Sequence, residues 1–173
     1  MKIELKNIRV NEMFSEETTC FKADIFINGK KVGYAKNDGH GGCTDYGVYN
    51  SDNREILREA EAYAKTLPKI SNPYGEPFDS NFEWVIDLAI EKYCMDKANL
   101  KNEKQLKKNI QLRFCYGKPN SYSYKMVGWQ KRSLQEMVSI NFNLVQNTLN
   151  DVRAKLGEGE VILNTNLSEL GLK

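Results

Sequence analysis

The sequence predicts an α+β fold, with an antiparallel sheet built from an N-terminal meander and a second hairpin and about three helices packed on it. Three observations predict it. Runs of period-2 alternation fill the first 49 residues, with Asn28-Gly29 joining two of them. Apolar residues at helical spacing begin at Ile56, at Phe82 and at Leu134. Alternation returns on both sides of Gly117-Lys118-Pro119-Asn120. At 173 residues, a single domain covering 1–173 is the expectation.

In chain order, Ile3 and Leu5 alternate with polar residues, then slip by one to Ile8 and Val10, the pattern of a bulged strand. Phe21, Ala23, Ile25 and Ile27 share one face of the next strand. A two-residue type I′ turn at Asn28-Gly29 then pairs Ile25 with Val32 and Ala23 with Tyr34, and leaves Gly33 opposite Asp24. Thr44, Tyr46 and Val48 form a third alternating run after a glycine-rich turn. Asp52 to Glu55 has capping-box spacing ahead of a helix that Pro68 ends. A stiff loop with Pro68, Pro73, Gly75 and Pro77 follows.

Ser80 to Glu83 is a second box, opening a helix whose apolar face is widened by Trp84 and Leu88. Residues 99–109 read as an exposed helical extension or loop. Ile110, Leu112, Phe114 and Tyr116 alternate as a strand, returning through Tyr122, Tyr124 and Met126. Ser133 to Glu136 opens one long helix that runs to Gly157. Val161 to Leu163 makes a short last strand.

Composition excludes several classes. No apolar run approaches the roughly 18 residues of a membrane span, and the alternating start lacks a signal-peptide core, so the expected location is cytoplasmic. Cys20, Cys43, Cys94 and Cys115 form no CxxC pair and read as reduced thiols, not a disulfide or zinc framework. Net charge is +2 but uneven. Residues 1–96 hold 12 Lys/Arg against 17 Asp/Glu, whereas 97–132 hold 10 against one. That asymmetry points a basic surface at an acidic partner.

Two stretches carry candidate chemistry. The first is the turn Asn37, Asp38, Gly39, His40, Gly41, Gly42, Cys43 with the nearby Asp45, which holds the only histidine. His40 and Cys43 have the residue types of a nucleophile and its base, but the sequence offers no third group to orient the imidazole. Asp38, His40 and Asp45 match no metal-ligand spacing, so neither metal nor cofactor is expected. The glycines could turn backbone N–H groups toward an anion such as a nucleotide phosphate, yet GxxxxGK[ST] and GxGxxG are both missing. The second stretch interleaves Arg113, Lys118, Lys125, Lys131 and Arg132 with Phe114, Tyr116, Tyr122, Tyr124 and Trp129. Cations neutralise phosphates and rings stack bases, although Phe114 and Tyr116 also have core parity.

The run from Thr18 to Thr44, above all INGKKVGYAKNDGHGG, resembles small uncharacterised accessory proteins of bacteriophages and bacterial mobile elements. The resemblance implies a task of binding, carries no catalytic motif, and would place the chain in the host bacterial cytoplasm. The expected function is therefore a non-enzymatic protein that engages a host factor, as a defence-system inhibitor, through the 37–43 loop. Nucleic-acid binding through 97–132 is the first alternative, and sequestration of a nucleotide or small ligand by the loop is the second.

Overall fold

The Asn28-Gly29 turn forms as its chemistry requires, with φ of 51° and 83° at its two central residues. It joins β2 (Phe21–Ile27) to β3 (Lys30–Asn37), which lie between β1 (Ile3–Val10) and β4 (Asp45–Val48) in an antiparallel sheet of order β1-β2-β3-β4. The slip in β1 is a bulge between Lys6 and Arg9, where Asn7 takes a φ of 54°.

The computed structural model describes residues 1–71, 75–121 and 123–173; Pro73 of the stiff loop and Tyr122 of the expected return strand lie outside them. The chain divides into two compact units, Met1–Met95 and Asp96–Lys173, where the sequence reading treats 1–173 as one domain.

The β2–β3 register departs from the expected one. Ile27 faces Lys30 and Phe26 faces Lys31, but Ile25 faces Gly33 and Ala23 faces Ala35. Val32 is the extra residue of a bulge, and every position after it changes face. Gly33 lies opposite Ile25 and not Asp24, and Tyr34 leaves the apolar face for the other one. A Cβ on Gly33 would collide with the Gly47 carbonyl oxygen, so only glycine lets β3 and β4 approach there. The Val32 carbonyl accepts from the Tyr49 N–H at 3.2 Å and from the buried Asn53 Nδ2 at 3.2 Å. Asn53 therefore serves the bulge and not a capping box, and α1 (Arg54–Ala64) starts without a side-chain cap.

The inner face of the sheet buries Phe21, Ala23, Ile25, Ile27, Val32 and Ala35 against Ala60 and Ala64 of α1 and Phe82, Ile86 and Ile90 of α2 (Phe82–Leu112). Asn81, not Ser80, caps α2: its side chain accepts from the Trp84 N–H at 2.9 Å. Trp84 and Leu88 are exposed, so the wide apolar face predicted for this helix is only partly buried.

In the second unit α2 continues to Leu112, and Ile110 and Leu112 are helical where alternation predicts a strand. The side chain of Asn164 explains the switch. Its Nδ2 donates to the carbonyls of Ile110 and Arg113 at 3.0 and 2.9 Å, and its Oδ1 accepts from the Cys115 N–H at 2.7 Å. One buried carboxamide thus closes the helix and opens β5 (Arg113–Gly117). β5 is flanked on both edges, by β6 (Lys125–Gly128) and β7 (Val161–Ile162), in a sheet of order β6-β5-β7. The second hairpin thus belongs to a sheet of its own, and there are two sheets in place of one.

The expected long helix is two, α3 (Leu134–Ile140) and α4 (Phe142–Ala154). Asn141 leaves helical space at φ −154°, donates its N–H to the Met137 carbonyl and accepts from the Leu144 N–H. The Ser133–Glu136 capping box is present. These helices and the tail enclose Phe114, Tyr116, Leu134, Met137, Val145, Leu149, Val152, Leu170 and Leu172.

Asn53→Ala leaves the Val32 carbonyl short of a partner, and urea titration should show a loss of about 1–2 kcal/mol. A loss below about 0.5 kcal/mol would mean that the bulge does not lean on this amide.

Candidate functional site

The loop between β3 and β4 is built around one side chain. The buried Asn37 Oδ1 accepts from the Thr18 hydroxyl at 2.8 Å and the Gly39 N–H at 2.9 Å, and Nδ2 donates to the Gly42 carbonyl at 2.8 Å. A single carboxamide spans the loop. From the other side, the Gly39 carbonyl accepts from the N–H groups of Glu16, Glu17 and Thr18 at 3.0, 3.0 and 3.2 Å. Gly39 has a φ of +92°, and a Cβ there would collide with the Phe14 carbonyl oxygen. Gly42 has open space around it.

The loop's exit is tied to α2. The Thr44 N–H donates to Glu83 Oε1 at 2.8 Å, and the Thr44 hydroxyl donates to Asp87 Oδ1 at 2.6 Å. Glu83 and Asp87 are four residues apart, which stacks both carboxylates on one side of the helix. Burial holds the Asp87 carboxyl above its ordinary range, opposed by the Thr44 hydrogen bond and assisted by the nearby charge of Glu83.

The predicted loop residues come together but not as a reaction centre. His40 Nδ1 lies 3.2 Å from Glu16 Oε2 with both side chains exposed, so the imidazole does have an orienting carboxylate that the sequence reading lacked. His40 and Cys43 line one shallow cleft of about 530 Å³ with Phe14, Cys20 and Asp38. Among the described residues no hydrogen bond joins His40 to Cys43, and a nucleophile needs its base within that reach. Asp38 turns back toward the His40 N–H at 3.4 Å, and Asp45 pairs with Lys36 at 3.2 Å. Among the described residues no three His, Cys, Asp or Glu side chains converge on a common point suited to a metal ion. The N–H groups of Gly39, His40 and Gly41 are engaged by Asn37, Asp38 and Thr18, and so are not turned toward an incoming anion.

The basic segment is dispersed over its unit. Lys125 pairs with Glu160 at 2.9 Å and stands over the Tyr116 ring. Lys118 lines a cleft of about 300 Å³ with Asn102, Glu103 and Tyr124. The Arg113 stem lies against Gly128, while Lys131 and Arg132 occupy the turn ahead of the α3 capping box. Phe114 and Tyr116 are in the core, Trp129 packs against it, and the Tyr124 hydroxyl is held by Asn109 at 2.9 Å. Burial pushes the Cys115 thiol up to about 11. Among the described residues no helix is long and apolar enough to cross a membrane.

Sequence reasoning missed the partner of the loop. A 3-10 turn at Glu12–Phe14 is capped by Asn11, whose side chain accepts from the Met13 N–H at 3.2 Å. It leaves Met13 89% and Phe14 55% exposed, with the Phe14 carbonyl against Gly39. The available signal was Asn11 ahead of Glu12, a good N-cap before an acidic first turn. Comparison with protein-family models, with curated proteins and with solved structures returns no match.

Two substitutions separate the loop's frame from its surface. Gly39→Ala should cost about 2–3 kcal/mol in denaturant unfolding, and Gly42→Ala less than about 0.5 kcal/mol. Equal costs would mean that the Gly39 carbonyl clasp does not hold the loop.

Asp87 supplies a pH test. Its raised folded-state pKa penalises the folded chain once the carboxyl ionises, so the penalty is absent at low pH and complete above the folded value. Asp87→Asn keeps an acceptor for Thr44 and should raise Tm at pH 7 while leaving it unchanged at pH 3. A lower Tm at pH 7 would show that the charged hydrogen bond outweighs burial.

Proposed function

We propose that this chain is a non-enzymatic binding protein that offers the Asn37–Cys43 loop and the adjoining Met13–Phe14 turn to a protein partner. The observation that carries the reading is the pairing of two exposed large apolar side chains with a loop whose backbone is already fixed. Exposed apolar anchors supply binding energy when a partner desolvates them. A loop held by Asn37 and by the Gly39 clasp loses little conformational freedom on docking. His40 with Glu16, and the exposed Cys43, provide the polar rim.

The resemblance of 18–44 to accessory proteins of bacteriophages and mobile elements supports a bacterial host factor as the partner, and a component of a host defence system as its class. The nucleotide alternative is less well supported, because three loop N–H groups already have side-chain acceptors. Binding of nucleic acid by 97–132 is less well supported too, because Phe114 and Tyr116 are buried, Trp129 packs against the same core and Lys125 is paired.

The test is a quantitative pull-down from bacterial lysate with wild type, His40→Ala/Asp45→Ala and Met13→Ser/Phe14→Ser. A partner captured by wild type should fall about tenfold or more with Met13→Ser/Phe14→Ser at unchanged Tm. Equal capture by all three proteins would remove this surface as the interface.

A further inference from the structure

The face of the first sheet that looks away from α1 and α2 carries an arrangement that folding alone does not explain. Arg9 faces Lys22 across β1 and β2, Lys22 faces Lys36 across β2 and β3, and Lys36 faces Asp45 across β3 and β4. Three cations thus stand side by side in one row across the sheet. With strands about 4.8 Å apart the row is about 10 Å long, and like charges in directly opposite positions destabilise a sheet. Lys36 pairs with Asp45, but among the described residues Arg9 and Lys22 have no acidic side chain within ion-pair distance.

Beside the cation row lies a row of rings. Tyr34 faces Gly47, whose missing side chain lets the ring lie down across β4. Tyr49, 55% exposed, stands 6.0 Å from it at a tilt of 49°. Lys31 stands 4.8 Å over the Tyr49 ring, Lys36 5.9 Å over Tyr34, and Lys6 4.5 Å over Phe26. The acidic group in the middle, Asp24, is fully engaged. It accepts from Asn7 at 2.6 Å and from the Tyr49 hydroxyl at 2.5 Å, and pairs with Lys31 at 2.9 Å. Those hydrogen bonds, from Asn7 first and then from Tyr49 and Lys31, hold the Asp24 carboxyl down at about 2. Its negative charge is thereby spent on fixing Tyr49 and Lys31. A shallow cleft of about 510 Å³ runs between Arg9, Lys22 and Lys36 on one side and Tyr34 and Tyr49 on the other.

We infer that this sheet face binds single-stranded nucleic acid, with the Arg9–Lys22–Lys36 row against the phosphates and the Tyr34 and Tyr49 rings under the bases. A cation row beside a ring row is the pairing that a flexible strand needs, since unstacked bases expose their faces and the backbone supplies regular negative charge. A duplex keeps its bases stacked and offers the rings nothing. The face adjoins the loop cleft, which Lys22 and Lys36 line together with Phe14 and His40, but it uses different side chains and does not depend on the protein-partner reading.

The test is fluorescence anisotropy with labelled single-stranded DNA and RNA homopolymers across a sodium chloride series, using the full chain. Three phosphate contacts at about 0.7 each give an expected slope of log affinity against log salt of about −2. Arg9→Gln/Lys22→Gln should lose at least about tenfold in affinity at low salt, flatten the slope to about −0.7, and not lower Tm. Tyr34→Leu should lose about fivefold or more while Tyr34→Phe retains binding, because stacking needs the ring and not the hydroxyl. Met13→Ser/Phe14→Ser should bind like wild type.

Four results would each overturn the inference: no binding at the lowest salt, a duplex of the same length bound as tightly as the single strand, Tyr34→Phe as weak as Tyr34→Leu, or the Arg9/Lys22 variant binding normally while Lys118→Gln/Lys131→Gln does not.

Discussion

β3 carries one residue more than its partner strand can match. Val32 enters opposite Ile25 without a pair of its own, and its carbonyl is satisfied from outside the ladder by Tyr49 and Asn53. Because side chains alternate at every step, that single insertion inverts the rest of the strand. An unbulged ladder would turn Tyr34 and Lys36 toward α1 and α2, and Ala35 and Asn37 toward the outside. The bulge reverses all four, leaving Ala35 and Asn37 buried and Tyr34 and Lys36 outside. Both the rigid loop and the outer ring-and-cation face depend on this inversion.

The consequence for the loop is direct. A carboxamide that is buried must find partners, and Asn37 finds them in Thr18, Gly39 and Gly42. The loop is therefore organised by a polar group at the end of a core strand, not by contacts at its tip. Its tip residues, His40 and Cys43, are left exposed because the hydrogen-bonding demand is met beneath them. A surface that stays in shape without its partner is suited to recognition, as little order remains to be imposed on binding.

The sequence made legible what local chemistry decides. Asn28-Gly29 forms its turn, the slip between Leu5 and Ile8 is a bulge, and Ser133 with Glu136 closes a capping box, each within a few residues. It hid what distant groups decide. The Val32 bulge depends on Asn53 and on the closeness of Gly33 to Gly47. The helical state of Ile110 and Leu112 depends on Asn164, more than fifty residues away, although their alternation fits a strand equally well. Of the candidate loop, its residues and its glycine chemistry were readable, but the Glu16 contact to His40 and the Met13–Phe14 turn were not. Those come from a connection with no periodicity to read. The outer face is hidden in the sequence for the same reason as the register, since its cations align only once Val32 is counted out.

Arg9, Lys22 and Lys36 also bear on what the fold tolerates. A sheet that needed only to cover its core could place opposite charges in facing positions and gain a few tenths of a kcal/mol at each. This one sets three cations in a line, while the neighbouring acid, Asp24, is held in hydrogen bonds to Asn7, Tyr49 and Lys31. The same preference shows at Met13 and Phe14, whose side chains face water although an apolar core lies within the same unit. The cation row and the Met13–Phe14 turn both lie at the surface of the first unit, whereas its buried positions are filled by apolar side chains. The proposed binding roles rest on that distribution, because exposed groups keep their binding free energy for a partner only if the fold has not already used it.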